Sequence, residues 1–297
     1  AKAIHTLSVP KSNVITIDDF AEIELSKAFS LESNITLPYG SLVFCTDDTY
    51  ACCLLPNELP SPLVEVVLLN LATGSRETVL ANSVGANEGF EVYDARATSR
   101  GIIWLEANIF AGQWRIYAAP FARTGEGVSN PQMLDSGDSS IQIPSLAAVD
   151  KYCFWTVMPP STASNAAKGP ALLKGAGFSS STAETYYEGR GRMACAVYSA
   201  HDGVVITPRH PESTRYYQLL HINAESGNVT EELTLPAGMK PSDVGWGSKN
   251  GFAFAFDGIY NYGDGIANLG TYTPVAWKGS YSNSQWFRFG RTPLAAP

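Results

Sequence analysis

The chain carries a set of side chains suited to ligand recognition, each near the start of a short apolar run. They are carboxylates, guanidinium groups, indoles and small polar residues: Glu88, Glu91, Ser145, Arg190, Arg192, Asp243, Trp246, Gln285, Trp286 and Arg288. Arginine forks pair with carboxylates, and indole faces offer flat apolar surface to a sugar. All but Ser145 and Gln285 are therefore predicted to bind ligand. The alternative is that these charged groups only pair with one another.

Three carboxylates in this set also suggest a reaction. Two carboxylates on either side of a sugar are enough for glycoside hydrolysis, and Glu88, Glu91 and Asp243 provide candidate pairs. The sequence has no Gly-x-Ser-x-Gly, no Gly-x-Gly-x-x-Gly, no Walker loop and no sialidase-type Asp-box. We therefore predict a non-enzymatic binding module with no catalytic residues. A glycoside hydrolase or lyase that uses paired carboxylates is the alternative.

Two further groups give weaker signals. His210 lies in a proline-bracketed loop, where a solvated side chain is a more common role than a catalytic base. Asp257, Asp264 and Asn268 lie in a glycine-rich bend whose oxygens could hold Ca²⁺, but their spacing matches no known calcium loop. We expect no metal and no cofactor.

The candidate residues are positioned by an element that recurs along the chain, a polar turn followed by an apolar run. The copies begin at intervals of 52, 50, 52 and 48 residues, at Thr49, Gly101, Lys151, Gly203 and Gly251. The position after the turn is β-branched or aromatic in every copy: Tyr50, Ile102, Tyr152, Val204 and Phe252. A period near fifty residues carried by strands predicts a β-propeller.

Each repeat contains several strand-like runs, and the recurring run is the second of them. Four strands in fifty residues make one propeller blade, with the innermost strand first. Residues 285–289 stand where a sixth innermost strand is due, and residues 1–40 contain unassigned strand-like runs. Because an open ring would leave a raw edge, we expect an all-β, six-bladed β-propeller whose last blade is shared by both termini. A five-bladed propeller with an N-terminal extension is the alternative.

One hairpin carries a resemblance to known repeats. The stretch Leu68-Leu-Asn-Leu-Ala-Thr-Gly74 ends an apolar strand in Asn-x-x-Thr-Gly, and residues 219–227 closely echo it. This hairpin resembles the outer hairpin of TolB-type and WD40-like β-propeller repeats, clearly in the first and fourth repeats only. The resemblance implies binding of a protein or a small molecule at the central funnel.

The repeat also bears on domain organisation. Closed all-β folds of this length are often a single domain, so residues 1–297 are predicted to form one β-propeller domain. In the third repeat, residues 159–192 are rich in glycine, serine and alanine and stand in place of the outer strands. We expect a long, mobile insertion there.

The composition limits the classes of binding partner that can be expected. The net charge is −8, the pI is about 5.0, and no lysine or arginine run exceeds two residues, so nucleic acid is not an expected partner. No apolar stretch is long enough to span a bilayer. The chain begins with Ala1, as after removal of a signal peptide, and we expect a secreted, periplasmic or cell-surface protein. The expected partner is a protein, a carbohydrate or a small molecule.

The five cysteines do not form a disulfide framework. Cys52, Cys53 and Cys153 lie in the recurring strand, where buried free thiols are expected. A bridge from Cys45 to Cys52 or Cys53 across one hairpin is the alternative.

Overall fold

The computed structural model describes residues 3–7, 14–16, 21–45, 49–56, 63–121, 127–249, 251–256, 268–272 and 284–288. The chain is nearly all β-structure. The N-terminal region has a short strand β1 (Val14–Thr16) and one turn of helix α1 (Leu25–Ala28). The remaining strands form antiparallel sheets, most of them four-stranded meanders, as the repeat predicts.

Three of the sheets follow one another along the first part of the chain. The first contains β2 (Leu42–Cys45), β3 (Tyr50–Pro56), β4 (Leu63–Asn70) and β5 (Arg76–Leu80). The second contains β6 (Glu91–Ala97), β7 (Gly101–Asn108), β8 (Gln113–Pro120) and β9 (Gln132–Asp138). The third contains β10 (Leu146–Val149), β11 (Tyr152–Val157), β12 (Pro170–Gly177) and β13 (Glu184–Arg190).

Two five-stranded sheets follow. The fourth sheet contains β14 (Tyr198–Ala200), β15 (Gly203–Ile206), β16 (Arg209–His210), β17 (Ser213–Asn223) and β18 (Val229–Thr234), with β16 as a short hairpin on β17. The fifth contains β19 (Pro241–Gly247), β20 (Gly251–Phe256), β21 (Asn268–Tyr272) and β22 (Ser284–Arg288), with β1 added beside β22. The recurring run is the second strand of every sheet, which confirms that interpretation.

The chain divides into two compact units. The terminal unit contains residues 1–28, 164–171 and 188–297, and the central unit contains residues 29–163 and 172–187. The prediction of a single domain over residues 1–297 stays a prediction.

In the central unit, strand β7 is buried on both faces because its side chains alternate between two cores. Ile102 and Trp104 pack into a core with Cys52 and Leu54 of the first sheet. The intervening residues, among them Ile103, pack into a core with side chains of the third sheet. This explains why the recurring strand is apolar at almost every position rather than at alternate ones.

In the terminal unit, one core lies between the fourth and fifth sheets. Val205 and Leu219 pack there against Phe252 and Phe254. Leu7, from the N-terminal arm, is only 2% exposed in the same core, and its backbone N–H donates to the carbonyl of Thr234. The arm is thus packed into the unit as well as paired to its last strand.

The hairpin that carries the resemblance folds alike in both repeats. Oδ1 of Asn70 accepts the N–H groups of Ala72 and Thr73 at 3.0 Å each. Oδ1 of Asn223 accepts the corresponding N–H groups, at 3.1 and 2.9 Å. Gly74 and Gly227 follow with φ of 71° and 70°, which favours glycine at both positions.

Residues 159–192 differ from the expectation. They were predicted to lack strands, but they contain β12 and β13, which complete the third sheet. The register pairs Phe154 with Gly175, and a Cβ at Gly175 would lie 2.7 Å from the Phe154 ring. Gly175, one of the glycines that suggested a loop, therefore allows a large aromatic side chain to cross the neighbouring strand.

The two termini meet in one sheet, as predicted. Strand β1 pairs with β22 in parallel, with Val14 opposite Trp286 and Thr16 opposite Arg288. The position of this pair differs from the prediction, because β22 is antiparallel to β21 and extends the fifth sheet rather than opening a sixth. The described residues form five sheets.

The prediction of buried thiols is confirmed. Cys52, Cys53 and Cys153 are fully buried, and none of the three forms a disulfide bond. The side chain of Cys45 lies outside the described part of the chain.

Candidate functional site

The best-defined cluster of predicted residues lies in the terminal unit, where the chain approaches the first strand of the fourth sheet. Gly191, with φ of 79°, turns the chain after β13. The next residue, Arg192, is half-buried, and its backbone N–H donates to the carbonyl of Ala166 at 3.0 Å. Burial lowers the pKa of Arg192, while the nearby Tyr217 raises it.

Tyr217 on β17 connects Arg192 to a residue that sequence reasoning missed. The guanidinium carbon of Arg209 lies 3.8 Å from the centre of the Tyr217 ring, a cation–π contact. Burial raises the pKa of Tyr217, Arg209 and Arg192 oppose that shift, and Cys195 adds to it. The phenol is therefore protonated at neutral pH, and the Arg209 guanidinium lies over its ring.

Cys195 joins this group to Asp243 of β19. The pKa of Cys195 is raised by burial, lowered by a hydrogen bond with Thr207, and raised by Asp243. The Asp243 side chain is exposed, and Oδ1 accepts the N–H of Val244 at 2.9 Å. Lys240 lowers the same pKa, so a carboxylate and an ammonium group both act on Cys195. We call Arg192, Cys195, Arg209, Tyr217 and Asp243 the Tyr217 cluster.

Trp246 lies on the same strand as Asp243 but has a packing role. Its ring stacks on His221 at 3.6 Å between centroids and 14° between planes. Its Nε1 donates to Oε2 of Glu231 at 2.6 Å. Trp246 therefore joins β19 to the outer strands of the fourth sheet, and sequence reasoning missed both of its partners.

The His221 ring is held as a neutral tautomer. Nε2 donates to the carbonyl of Ala200 at 3.1 Å, so Nδ1 is the acceptor for the hydroxyl of Thr230. Burial lowers the pKa of His221, and Asp202 partly opposes this from 3.4 Å away. Burial raises the pKa of Glu231, whose Oε1 is buried with no hydrogen-bond partner among the described residues.

In the central unit, Glu88 is already paired. Both of its oxygens accept hydrogen bonds from Arg115, at 3.0 and 2.6 Å, and the pairing lowers the pKa of Glu88. Such a carboxylate is a poor general acid. Glu91 opens β6 and is half-buried, and it contributes to the raised pKa of Tyr93 after burial.

The remaining predicted residues do not join the Tyr217 cluster. Arg190 is exposed at the end of β13, which is the outermost strand of its sheet rather than the innermost. The hydroxyl of Ser145 lies 2.9 Å from that of Thr156. The side chains of Gln285, Trp286 and Arg288 lie outside the described part of the chain.

The two weaker signals have separate outcomes. Nδ1 of the half-buried His210 accepts the N–H of Glu212 at 3.1 Å, so its ring helps to form the β16–β17 turn. Asp257, Asp264 and the side chain of Asn268 lie outside the described part of the chain. Within that part, no three histidine, cysteine or acidic side chains are grouped so as to hold a metal ion.

A buried polar side chain near the end of the second strand is a repeated feature that sequence reasoning missed. Glu106 accepts the N–H groups of Val84 and Gly85, at 2.6 and 2.9 Å. Thr156 accepts the N–H of Ser145 at 3.3 Å, and Thr207 accepts that of Cys195 at 3.0 Å. Each side chain fixes the segment that leads into the first strand of its sheet. The signal was visible in the sequence as a polar residue four or five positions after three of the five turns.

No helix in the described residues has both the length and the apolar character required to cross a membrane.

Comparison with known proteins identifies similarity of fold. No protein-family model and no curated protein match the chain. In a structure of prolyl endopeptidases, 86% of this chain matches 37% of that chain with a TM-score of 0.52 and 8% identity. The present chain thus spans little more than a third of that protein's length.

Weaker structural matches include two other proteins. The tricorn protease matches over 89% of this chain and 27% of its own, with a TM-score of 0.46 and 13% identity. The WD40 domain of SCAP from fission yeast matches over 76% of this chain and 50% of its own, with a TM-score of 0.38 and 8% identity. The chain resembles WD40-like β-propeller repeats, and this resemblance concerns the fold alone.

Proposed function

We propose that this chain is a non-enzymatic binding module and that its ligand contacts the Tyr217 cluster. The observation that carries the proposal is that the segment leading into the fourth sheet meets Arg209 and Tyr217 beside β19. A Cβ at Gly191 would lie 3.2 Å from Cγ of Arg209, and Cys195 packs against the core that contains Tyr217 and Val244. Loops held by a rigid sheet scaffold are common sites of recognition. The cluster contains two guanidinium groups, a carboxylate and a protonated phenol.

The paired-carboxylate alternative is less well supported. It requires one carboxyl group that holds a proton near neutral pH and a second that is ionised. The pairing with Arg115 lowers the pKa of Glu88, which is the wrong direction for the acid. A carboxyl group with a raised pKa is found at Glu231, but Oε2 of that residue accepts the Trp246 hydrogen bond within the packing of two sheets.

The proposal includes the architecture that would present this site. We propose a single β-propeller domain with five blades, because the described residues form five sheets and β22 extends the fifth. The N-terminal strand would then be an extension that covers the edge of the last blade. A secreted, periplasmic or cell-surface location is proposed on the sequence alone. Arg190, Trp286 and Arg288 remain proposed ligand contacts on the same ground, as do Glu88, Glu91 and Trp246.

Ligand retention tests the function directly. The protein would be incubated with a pool of organic acids, amino acids, nucleotides and oligosaccharides. Unbound compounds would be removed by dialysis, and the protein would be analysed by native mass spectrometry. We expect at least one compound to be retained by the parent protein and lost from Arg192→Gln and Asp243→Asn. Arg215→Gln is the matched control, because Arg215 is an exposed arginine on β17.

Two results would overturn the proposal. One is a parent protein that retains no compound from the pool. The other is equal retention by the parent and by both site variants, which would place binding elsewhere. Conversion of a retained compound to a product, abolished by Glu91→Gln, would instead support the enzyme.

A further inference from the structure

The segment before strand β2 exposes large apolar side chains to solvent. Phe29 is 72% exposed, Leu31 is 83% exposed and Tyr39 is 103% exposed. All three residues lie outside the helices and strands. Exposed apolar side chains that lie close together in the sequence are a liability, because exposed apolar surface favours aggregation unless something covers it. A hydrated group attached to this segment would reduce that liability.

The same segment is nevertheless fixed on the first sheet. Ile35 and Leu37 pack against a core formed by side chains of β3 and β4. Nη2 of Arg76 donates a hydrogen bond of 2.7 Å to the carbonyl of Thr36. A Cβ at Gly74 would lie 3.7 Å from Cγ1 of Ile35. The segment therefore has a defined inner side, which faces the sheet, and a defined outer side.

The outer side presents an amide and a hydroxyl group. Asn34 and Thr36 are exposed, whereas Ile35 and Leu37, which alternate with them, are half-buried. Within the described part of the chain, no hydrogen bond engages the side chain of Asn34 or of Thr36. Both side chains are thus accessible together to an enzyme that approaches from solvent.

This arrangement fits the acceptor pattern for an N-linked glycan. Residues 34–36 read Asn-Ile-Thr, a match to Asn-x-Ser/Thr. In the transfer, Nδ2 of Asn34 forms a bond to the anomeric carbon of an oligosaccharide carried on a lipid diphosphate. The bond from that carbon to the diphosphate oxygen breaks, the amide loses one proton, and the lipid diphosphate leaves. A glycan is bulky and hydrated, so it requires an exposed acceptor such as Asn34.

A second copy of the pattern, at residues 228–230, is engaged in the fold. The hydroxyl of Thr230 is hydrogen-bonded to Nδ1 of the buried His221. The carbonyl of Asn228 accepts the N–H of Asn223 at 3.0 Å within the β17–β18 hairpin. The hydroxyl and the backbone of this copy are therefore unavailable to an enzyme while the protein is folded. The structure distinguishes two sites that the sequence pattern makes equivalent.

We propose that Asn34 is an acceptor site for N-linked glycosylation and that its glycan covers Phe29, Leu31 and Tyr39. These three residues lie within five positions of Asn34, which is at most about 18 Å along a fully extended chain. The inference goes beyond the proposed binding function and does not involve the Tyr217 cluster. It applies in a compartment that supplies the transferase and its sugar donor, in agreement with the proposed secreted or cell-surface location.

Glycosylation of the folded protein tests the inference. The purified protein would be incubated with an oligosaccharyltransferase that requires only Asn-x-Ser/Thr and with its lipid-linked oligosaccharide. Peptide mass spectrometry would then locate the glycan. We expect modification of Asn34 and none of Asn228. Synthetic peptides of residues 30–38 and 224–232 are the controls for the pattern alone, and both should be modified because neither is held in a fold.

Variants test the role of each group. Asn34→Gln and Thr36→Val should each abolish modification of the folded protein, whereas Asn228→Gln should be modified as the parent is. Thr36→Val removes the hydroxyl from the outer side and retains Asn34, so its loss of modification would show that both groups are needed. Because the side chains at positions 34 and 36 are exposed, circular dichroism should show an unchanged fold.

Fluorescence of anilinonaphthalene sulfonate, a dye that binds exposed apolar surface, tests the covering role. We expect the fluorescence of the parent protein to fall after glycosylation and that of Asn34→Gln, treated in the same way, to stay unchanged. Unchanged dye fluorescence on a glycosylated parent would show that the glycan does not cover the apolar side chains.

Three results would overturn the acceptor site itself. The first is a folded parent without a glycan on Asn34 when the peptide of residues 30–38 is modified. The second is modification of Asn228 as complete as that of Asn34 in the folded protein. The third is full modification of Thr36→Val. None of these results bears on ligand retention at the Tyr217 cluster, so failure of this inference and failure of the proposed function are distinguishable.

Discussion

The indole Nε1 of Trp246 donates a hydrogen bond of 2.6 Å to Oε2 of Glu231, which ties the first strand of the fifth sheet to the last strand of the fourth. The central unit has a parallel arrangement. There Nε1 of Trp155 donates to Oδ2 of Asp135 at 2.8 Å, from the third sheet to the last strand of the second. In both units, a tryptophan is thus anchored by a carboxylate on the outer strand of the preceding sheet.

Replacement of Glu231 by glutamine should make the protein less sensitive to pH. Burial raises the pKa of Glu231, so its contribution to stability is complete below about pH 4.5 and is lost as pH rises through the folded-state value. We therefore expect the free energy of unfolding of Glu231→Gln, relative to the parent, to increase from pH 4 to pH 7. Urea unfolding at several pH values measures it. Glu232→Gln, an exposed neighbour on β18, should show no such trend.

The buried thiols should resist alkylation, and the free energy of unfolding should fall at alkaline pH. Burial raises the pKa of Cys52 and of Cys153 to about 12, from a usual value of 9.0. The contribution of these thiols to the free energy of unfolding is complete below about pH 9. It is lost as pH rises towards 12, because the thiols of the unfolded chain ionise first. Iodoacetamide at pH 8 should therefore label half-buried Cys195 before either of them. Early labelling of Cys52 or Cys153 in the native protein would contradict this.

Removal of the Thr156 hydroxyl should destabilise the third sheet. Thr156 is 1% exposed, and it accepts the N–H of Ser145 at the start of the first strand. Valine has nearly the same shape but removes this hydrogen bond to the half-buried Ser145 N–H, and the net loss of one hydrogen bond costs about 0.5–1.5 kcal/mol. Chemical denaturation of Thr156→Val measures the loss. The exposed Thr185→Val on β13 is the control, and equal stability of the two variants would be contrary to the account.

Loss of the N-terminal arm should destabilise the terminal unit. Deletion of residues 1–20 removes both Leu7, from the core, and the parallel partner of β22. Leu7→Ala alone should cost about 2–5 kcal/mol, as is usual for a buried leucine. Exposed Ile23→Ala should change stability by less than about 0.5 kcal/mol. A deletion variant that stays monomeric and melts within about 2 °C of the parent would show that the arm is dispensable.

The repeat made much of the fold predictable. The interval between turns located the second strand of each sheet, and the Asn70 and Asn223 turns proved alike in their hydrogen bonds. Strands β12 and β13 were missed because a glycine-rich segment looks the same in the sequence whether it pairs or not, and Gly175 of β12 makes room for Phe154. The repeat interval placed β22 in a sixth sheet. Its position in the fifth sheet depends on pairing with β21, which the repeat interval cannot specify.

The candidate site was predictable only in part. Arg192 and Asp243 were identified because they precede or open first strands, and both contribute to the Tyr217 cluster. Arg209 and Tyr217 were missed because they lie on the short β16–β17 hairpin, which brings the guanidinium group over the ring. Trp246 was predicted to bind ligand, which stays a prediction, and its stacking on His221 could not be read from the sequence. Which face of a strand meets which neighbour is decided by tertiary packing.

Protection of Cys195 provides the most direct test that a ligand occupies the Tyr217 cluster. Cys195 packs against the core that contains Tyr217 and Val244, so a ligand bound at the cluster should shield its thiol. The rate of Cys195 alkylation would be measured by mass spectrometry with and without a saturating concentration of a compound retained in the dialysis experiment. The account predicts slower alkylation in the parent and in Arg215→Gln, and no protection in Arg192→Gln. An alkylation rate that the compound leaves unchanged in the parent protein would contradict it.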